Sequence, residues 1–425
     1  MAELIDSYYE AGVSRPPPAP PLKGGTRADV CVIGGGFTGL SCALELALSG
    51  KSVAVLEAER VGWGASGRNG GQFIHGYSTE ELKKPAAQAG VDEKYLFDMS
   101  LEAINLLRRR ISQYNIDCDM QQGHLLAALH ARHCRELERM ADKMTNRYAY
   151  PARLLDMAET RAAIASRKYC GALADDNSGH LHPLKYLLGL ARAAENAGAV
   201  IYENTAARSA EEVPGGARVL AADGEVNCDA AVLAGNAYLR IAPPLRARVM
   251  PVGTYICATA PLGEDAANNL IAARRGVCDM NFVLDYFRCS ADFRMLFGGR
   301  VSYSNNENPK NLARSLRRRM SAVFPQIAAV PLEYVWGGSL AITANRFPDI
   351  GRRGRALYYA QGFSGHGLAM SGFSGKILAD AICGDTEKLD IFGRVRHADF
   401  IGGERMRTPL LVLGMLYYRL RDLLG

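Results

Sequence analysis

The chain has 425 residues, 48% hydrophobic and 22% charged, an ordinary globular composition in a chain too long for one hydrophobic core. Its 50 basic and 44 acidic residues leave a net charge of only +6, too small and too dispersed to suggest a nucleic-acid partner. Ten cysteines with no Cys-x-x-Cys argue against a zinc site or a disulfide framework, and for reduced, packing cysteines such as Cys31 and Cys257 in a cytoplasmic protein.

At the N-terminus, Glu3 and Asp6 precede any apolar run, unlike a signal peptide, and Pro16 to Pro21 reads as a polyproline II spacer. Val30-Cys31-Val32-Ile33 follows as a short buried strand. Gly34-Gly35-Gly36-Phe37-Thr38-Gly39 then supplies G-x-G-x-x-G, and Leu40 to Ser49 carries apolar residues at helical spacing. Gly34 suits the tight turn, Gly36 lets backbone approach a pyrophosphate, and Gly39 lets the helix lie close on the strand. The phosphates would sit on the helix N-terminus, where unpaired N–H groups and the macrodipole favour anions. A second strand, Ser52 to Leu56, ends in Glu57, at the spacing of a carboxylate that takes ribose hydroxyls. This fingerprint alone serves either NAD or FAD.

Further along, Tyr95 to Tyr114 reads as a long helix. Arg108 to Arg110 and Arg317 to Arg319 read as solvated helix faces. His130 and His133 stand three apart with no third ligand nearby, so they read as surface histidines and no metal is expected. Strands are predicted at Thr254–Ala258, Phe282–Cys289 and Arg294–Phe297, with the alternation of an antiparallel sheet. The tail from Pro409 to Arg421 is strongly apolar and then basic, which suits either a membrane interface or a protein contact.

The segment Glu57-Ala58-Glu59-Arg60-Val61-Gly62-Trp63-Gly64-Ala65-Ser66-Gly67-Arg68-Asn69-Gly70-Gly71-Gln72 resembles the D-amino-acid-oxidase-like (DAO) flavoprotein superfamily, and within it the gamma-glutamylputrescine oxidoreductases and L-pipecolate oxidases. A second resemblance lies at Tyr358 to Gly367, a glycine-rich turn before a helical pattern from Ser371 to Cys383; in this family such a turn runs along the flavin. Smaller matches are Gly179 to Pro183, Thr205-Ala206-Ala207, where the family touches adenine, and Ala230 to Ala237, which closes over the ADP half.

The resemblance implies an α/β fold: a Rossmann-like FAD-binding domain with a mainly parallel sheet (1–85, 150–250 and 340–425), and a substrate domain (86–149 and 251–339) with an antiparallel sheet over the flavin. It implies noncovalent FAD, since Gly337 to Thr343 lacks the tethering cysteine of some members. The cofactor set it implies is Gly34, Gly36, Phe37, Thr38, Gly39, Glu57, Ala58, Gly64, Ala65, Ser66, Asn69, Gly70, Gly71, Gln72, Ala207, Ala234, Gly235, Gly362, Ser364, Gly365, His366 and Gly367.

Candidate pocket residues for catalysis are His366, Tyr255, Tyr286, Arg288 and Arg300, with Tyr303, Trp336 and His75 beside them; an arginine would grip a substrate carboxylate and aromatics would exclude water. The implied reaction oxidises an amine or amino acid to an imine by hydride transfer to flavin N5, with oxygen or a quinone as final acceptor. A gamma-glutamylputrescine-type amine leads, a cyclic amino acid such as L-pipecolate and a quinone-linked dehydrogenase are alternatives, and an NAD-dependent dehydrogenase is the reading from a different class. The expected location is the cytoplasm, with peripheral inner-membrane contact through residues 409–421 as one of the two readings of that tail.

Overall fold

A computed structural model describes residues 5–281, 283–302 and 309–400. Two sheets organise the chain. In the eight-stranded one, the central path runs Asp349–Arg353, Leu357–Gln361, Gly224–Leu233, Gly24–Ile33, Val53–Leu56, Val200–Tyr202. The pairings among the last five strands are parallel, and a hairpin (Ser209–Val213, Gly216–Leu220) adds antiparallel strands. Val30 to Ile33 and Val53 to Leu56 are buried on both faces, as near-continuous apolar runs in parallel sheets are.

Helices Phe37–Leu48, Glu93–Gln113, Pro183–Asn196 and Gly367–Ile382 build the core with this sheet. Phe37–Leu48 and Gly367–Ile382 cross almost backbone to backbone. A Cβ on Gly375 would stand 2.7 Å from the Cβ of Ser41, and the Ser41 hydroxyl donates to the Gly372 carbonyl.

The nine-stranded sheet follows the order Leu332–Thr343, Val249–Thr259, Met295–Ser302, Tyr286–Cys289, Gly276–Asp279, Gln121–Ala128, Gly171–His180, Gln72–Phe73, with Arg153–Leu155 pairing off the path. It is antiparallel except where Gly276–Asp279 lies parallel to Gln121–Ala128. Arg153–Leu155, Gly171–His180 and Gln72–Phe73, expected with the first unit, thus run in the second sheet. Short strands between helices carry no local signal of which sheet they will join.

Two surface readings change. Arg110 is 2% exposed and pairs with Glu45 at 2.7 Å, Arg319 bridges to Asp285 at 2.7 Å, and Arg317 donates to the Ala328 and Val330 carbonyls. His133 is buried, and His130 is the N-cap of helix Ala131–Asp142, its ring accepting from the His133 amide at 3.4 Å. The surface reading fails for His133, which the packing of its helix against the sheet buries; an N-cap residue and one three positions on also have the spacing of a helix-face pair.

Candidate active site

A cavity of about 970 Å³ lies between the two sheets. At one end it is built by the glycine-rich turn. Gly34 has φ +113° and no room for a Cβ beside the Ala234 carbonyl, while a Cβ on Gly39 would overlap the Gly34 carbonyl oxygen. A Cβ on Gly36 would meet the Ser66 hydroxyl at 2.9 Å. That hydroxyl accepts from the Phe37 amide (3.0 Å), the first of the helix, and the Glu57 carboxylate accepts from the Gly35 amide (2.6 Å) and the Glu59 amide (3.0 Å). Burial pushes the Glu57 carboxyl pKa up, and the two amides pull against that shift.

The second glycine cluster meets the first in space. Asn236, at φ +46°, accepts from the Gly362 amide at 3.0 Å and so ties the turn after Ala234 to the downstream loop. Ser364 takes φ +53°; its amide donates to Ala341 (3.0 Å) and its hydroxyl accepts from the Thr343 amide (3.2 Å). His366 follows as the N-cap of helix Gly367–Ile382, so this helix and Phe37–Leu48 both begin at the cavity. Burial, with His75 and Arg346 nearby, lowers the His366 pKa to about 4, leaving a neutral imidazole.

The antiparallel sheet supplies the roof through its period of two. Met250, Val252 and Thr254 line the cavity from one strand, and Ile342 and Leu340, directly opposite Met250 and Val252, line it from the next. Cys278 and its cross-strand partner Tyr286 continue the wall, with Val283, Leu284 and Arg346. The Tyr286 ring lies over Gly70 and Gly298, where no Cβ would fit.

Most of the expected cofactor set borders this cavity: Gly34, Gly36, Phe37, Thr38, Glu57, Ala58, Gly64, Ala65, Ser66, Asn69, Gly70, Gln72, Ala207, Ala234, Gly235, Ser364, Gly365, His366 and Gly367. Gly39, Gly71 and Gly362 stand behind it and permit its turns. Of the pocket candidates, Tyr286 and His366 reach it.

Tyr255, Arg288, Trp336 and His75 do not. Tyr255 sits on the other parity of its strand, packed with Cys257, Phe287 and Phe297. Arg288 is 3% exposed and donates to Gly70 O (2.7 Å), Leu181 O (3.1 Å) and the Tyr9 hydroxyl (3.1 Å), tying the N-terminal segment to the second sheet. Trp336 is buried with its Nε1 donating to Arg68 O at 3.0 Å. His75 is buried 3.3 Å from Asp175, which also accepts from Tyr150. The side chain of Arg300, all of Tyr303 and the 409–421 tail lie outside the described residues.

Residues not anticipated include Thr254, Cys278, Leu284, Trp63, Tyr238 and Arg346. Counting the period of two from Met250 would have found Thr254. Arg346 carries no local signal, because it comes from a left-handed loop position (φ +58°) after its strand. Arg68 stacks on Trp63 at 4.2 Å, and Tyr238 meets the Trp63 ring edge-on at 5.6 Å.

A glycine-rich strand–turn–helix, an acid at the end of the second strand and a roof from a second sheet are the build of a dinucleotide-binding protein with a cavity between its two sheets. The model of the DAO family, FAD-dependent oxidoreductases, matches residues 29–381. The gamma-glutamylputrescine oxidoreductase of Escherichia coli K12 is 39% identical over 428 residues, all of both chains, and a probable oxidoreductase OrdL of Haemophilus influenzae is 39% identical over 99% of this chain and 98% of its own. Among solved structures, glycine oxidase from Geobacillus kaustophilus superposes with a TM-score of 0.73 at 22% identity, covering 88% of this chain and 99% of that one. L-proline dehydrogenase from P. horikoshii gives 0.69 at 20%, covering 88% and 98%, so the fold is shared.

The chain belongs to the DAO family of FAD-dependent oxidoreductases. The nicotinamide reading, open on the first fingerprint alone, falls with that membership. The residues fit FAD: bare backbone at Gly36, two helix starts and the Glu57 carboxylate face one cavity long enough to join both glycine clusters.

Proposed function

We propose that this enzyme oxidises the C–N bond of a gamma-glutamyl amine, of the gamma-glutamylputrescine kind, to an imine that water opens to an aldehyde. The observation that supports this most is the 39% identity to the E. coli gamma-glutamylputrescine oxidoreductase, which spans both chains end to end. The roof agrees in character. Met250, Val252, Leu340 and Ile342 form an apolar slot suited to a methylene chain, and Arg346 offers a cation for the glutamyl carboxylate.

Bound FAD supplies the hydride acceptor. The chain supplies orientation and a medium: apolar walls and a neutral His366 disfavour an ammonium, so the substrate amine enters neutral with its lone pair free. No side chain has to act as general base. In this reading Glu57 and the bare backbone at Gly36 would hold the ADP half, Ala207 the adenine, and the Ser364 to Gly367 turn the flavin ring.

The reading is tested by anaerobic bleaching of the yellow holoenzyme with gamma-glutamylputrescine, putrescine, L-pipecolate and glycine. Gamma-glutamylputrescine should bleach it fastest. Faster bleaching by L-pipecolate would replace this substrate with a cyclic amino acid. Arg346→Leu should raise KM for the carboxylate-bearing amine by about 10- to 100-fold, the worth of one charge-assisted hydrogen bond, and leave KM for putrescine unchanged. Equal effects on both would remove the anchoring role. Oxygen is the proposed acceptor, in a cytoplasmic enzyme; stopped-flow reoxidation that is slow in air and fast with a quinone would favour a membrane-linked dehydrogenase.

A further inference from the structure

Two of the cysteines depart from the packing role. Cys134 lies near the start of helix Ala131–Asp142 and Cys170 immediately before strand Gly171–His180, with their Sγ atoms 3.2 Å apart. Both are half-buried and in reach of solvent, whereas Cys31, Cys42, Cys257 and Cys289 are shut in the core. The seam that holds them is packed: Leu137 and Ala141 of the helix lie against Ala128 and Leu173 of the sheet. The Cys170 amide donates to Ala128 O at 2.9 Å. No side chain stands between the thiols, because the next residue is Gly171, where even a Cβ would come within 3.2 Å of Cys134 Sγ. From this 3.2 Å contact the two sulfurs have only about 1 Å to travel to a disulfide of about 2.05 Å.

We propose that Cys134 and Cys170 are a peroxide-sensitive dithiol that closes reversibly to a disulfide, stapling helix Ala131–Asp142 to the substrate-side sheet. The Cys134 thiolate attacks one oxygen of hydrogen peroxide and the O–O bond breaks, leaving a Cys134 sulfenic acid and a hydroxide, which takes back from solvent the proton the thiol gave up and becomes the first water. Cys170 sulfur then attacks the sulfenic sulfur; the S–S bond forms as the S–O bond breaks, and hydroxide leaves with the Cys170 proton as the second water. Two thiols lose two electrons and one peroxide becomes two waters. A dithiol reductant reverses the change. Burial and the adjacent Cys134 raise the Cys170 thiol to about 11, which keeps it protonated until the second step.

The staple acts on the sheet rather than on the chemistry. Strand Gly171–His180 pairs with Gln121–Ala128, which pairs with Gly276–Asp279, and Cys278 of that strand lines the cavity. The inference does not rest on the substrate or on the source of the peroxide.

The test treats the full-length holoenzyme with hydrogen peroxide, blocks remaining thiols and maps peptides under non-reducing conditions. Exposed Cys383 reports that peroxide has reached the protein. A Cys134–Cys170 linked peptide that vanishes with dithiothreitol is expected; oxidised Cys383 with Cys134 and Cys170 still alkylatable would overturn the proposal. In Cys170→Ser, dimedone should trap the sulfenic acid on Cys134, and an unlabelled Cys134 would overturn the order of attack. The thermal midpoint of the wild type should rise on oxidation and that of Cys134→Ser should not; an equal response in both would remove the staple.

Discussion

Among the described residues no carboxylate pairs with the buried Arg288, which is held by two carbonyls, a phenol and the His180 ring. Removing it strands those acceptors and opens a void where the N-terminal segment meets the sheet. Arg288→Ala should therefore cost about 2–4 kcal/mol of stability, read as a lower denaturation midpoint, while the purified variant keeps its KM. A raised KM with unchanged stability would return Arg288 to the substrate pocket. Gly36→Val makes the complementary prediction: its branched side chain would strike the Ser66 hydroxyl and fill the cradle, so the protein should purify colourless and fail to take up added FAD. A yellow, fully loaded variant would remove Gly36 from the site. Surroundings were legible where a motif fixes backbone, as at Gly34, Gly36 and Glu57, which border one cavity. They were not legible at Arg288 or Tyr255, whose surroundings come from strands distant in the chain.

At the scale of elements, the two helices that begin at the cavity also hold each other. Their crossing depends on Gly375, which faces the Thr38 carbonyl, the Ser41 Cβ and the Cys42 amide with no space for a side chain, and on the Ser41 hydroxyl, which donates to the Gly372 carbonyl. Gly375→Val should push the helices apart, costing about 3 kcal/mol, with partial loss of FAD because both helix starts move. Thermal denaturation and the flavin-to-protein absorbance ratio check this, and an unchanged midpoint would show that the crossing is looser than the geometry indicates. Periodicity predicted both helices, as Leu40–Ser49 and Ser371–Cys383 against the observed Phe37–Leu48 and Gly367–Ile382. The starts were missed in both, because each first turn carries a glycine, Gly39 in one and Gly367 in the other, that weakens the local helical signal.

Across the whole molecule, buried histidines couple stability to pH. Burial lowers His366 and His124 to about 4 and His182 to about 3, and lowers His75, His180 and His397 as well. In the unfolded chain these rings titrate near 6.5, so below about pH 6.5 the unfolded state binds more protons and stability falls as pH drops toward 4. Asp279 opposes this: burial and neighbouring Asp285 raise it to about 7, so its folded form takes up a proton first. The histidines outnumber it, and the denaturant midpoint of the holoenzyme should drop steadily from pH 7 to pH 5. A flat profile would mean that the rings are hydrated. His182→Asn retains an N-cap acceptor for the Lys185 amide and should make the slope shallower.

What the sequence by itself determined is whatever depends on neighbours in the chain: the dinucleotide turn, the acid at the end of the second strand, the flavin loop and the alternation of the roof strands. These follow from backbone requirements that only particular residues meet, so they are written locally. Tertiary structure alone decided which face of each strand looks into the cavity, that Arg288 is a tie while Arg346 is a wall, and that Cys134 meets Cys170. Those outcomes depend on register and on the packing of two sheets whose strands are interleaved along the chain, and no local pattern encodes them.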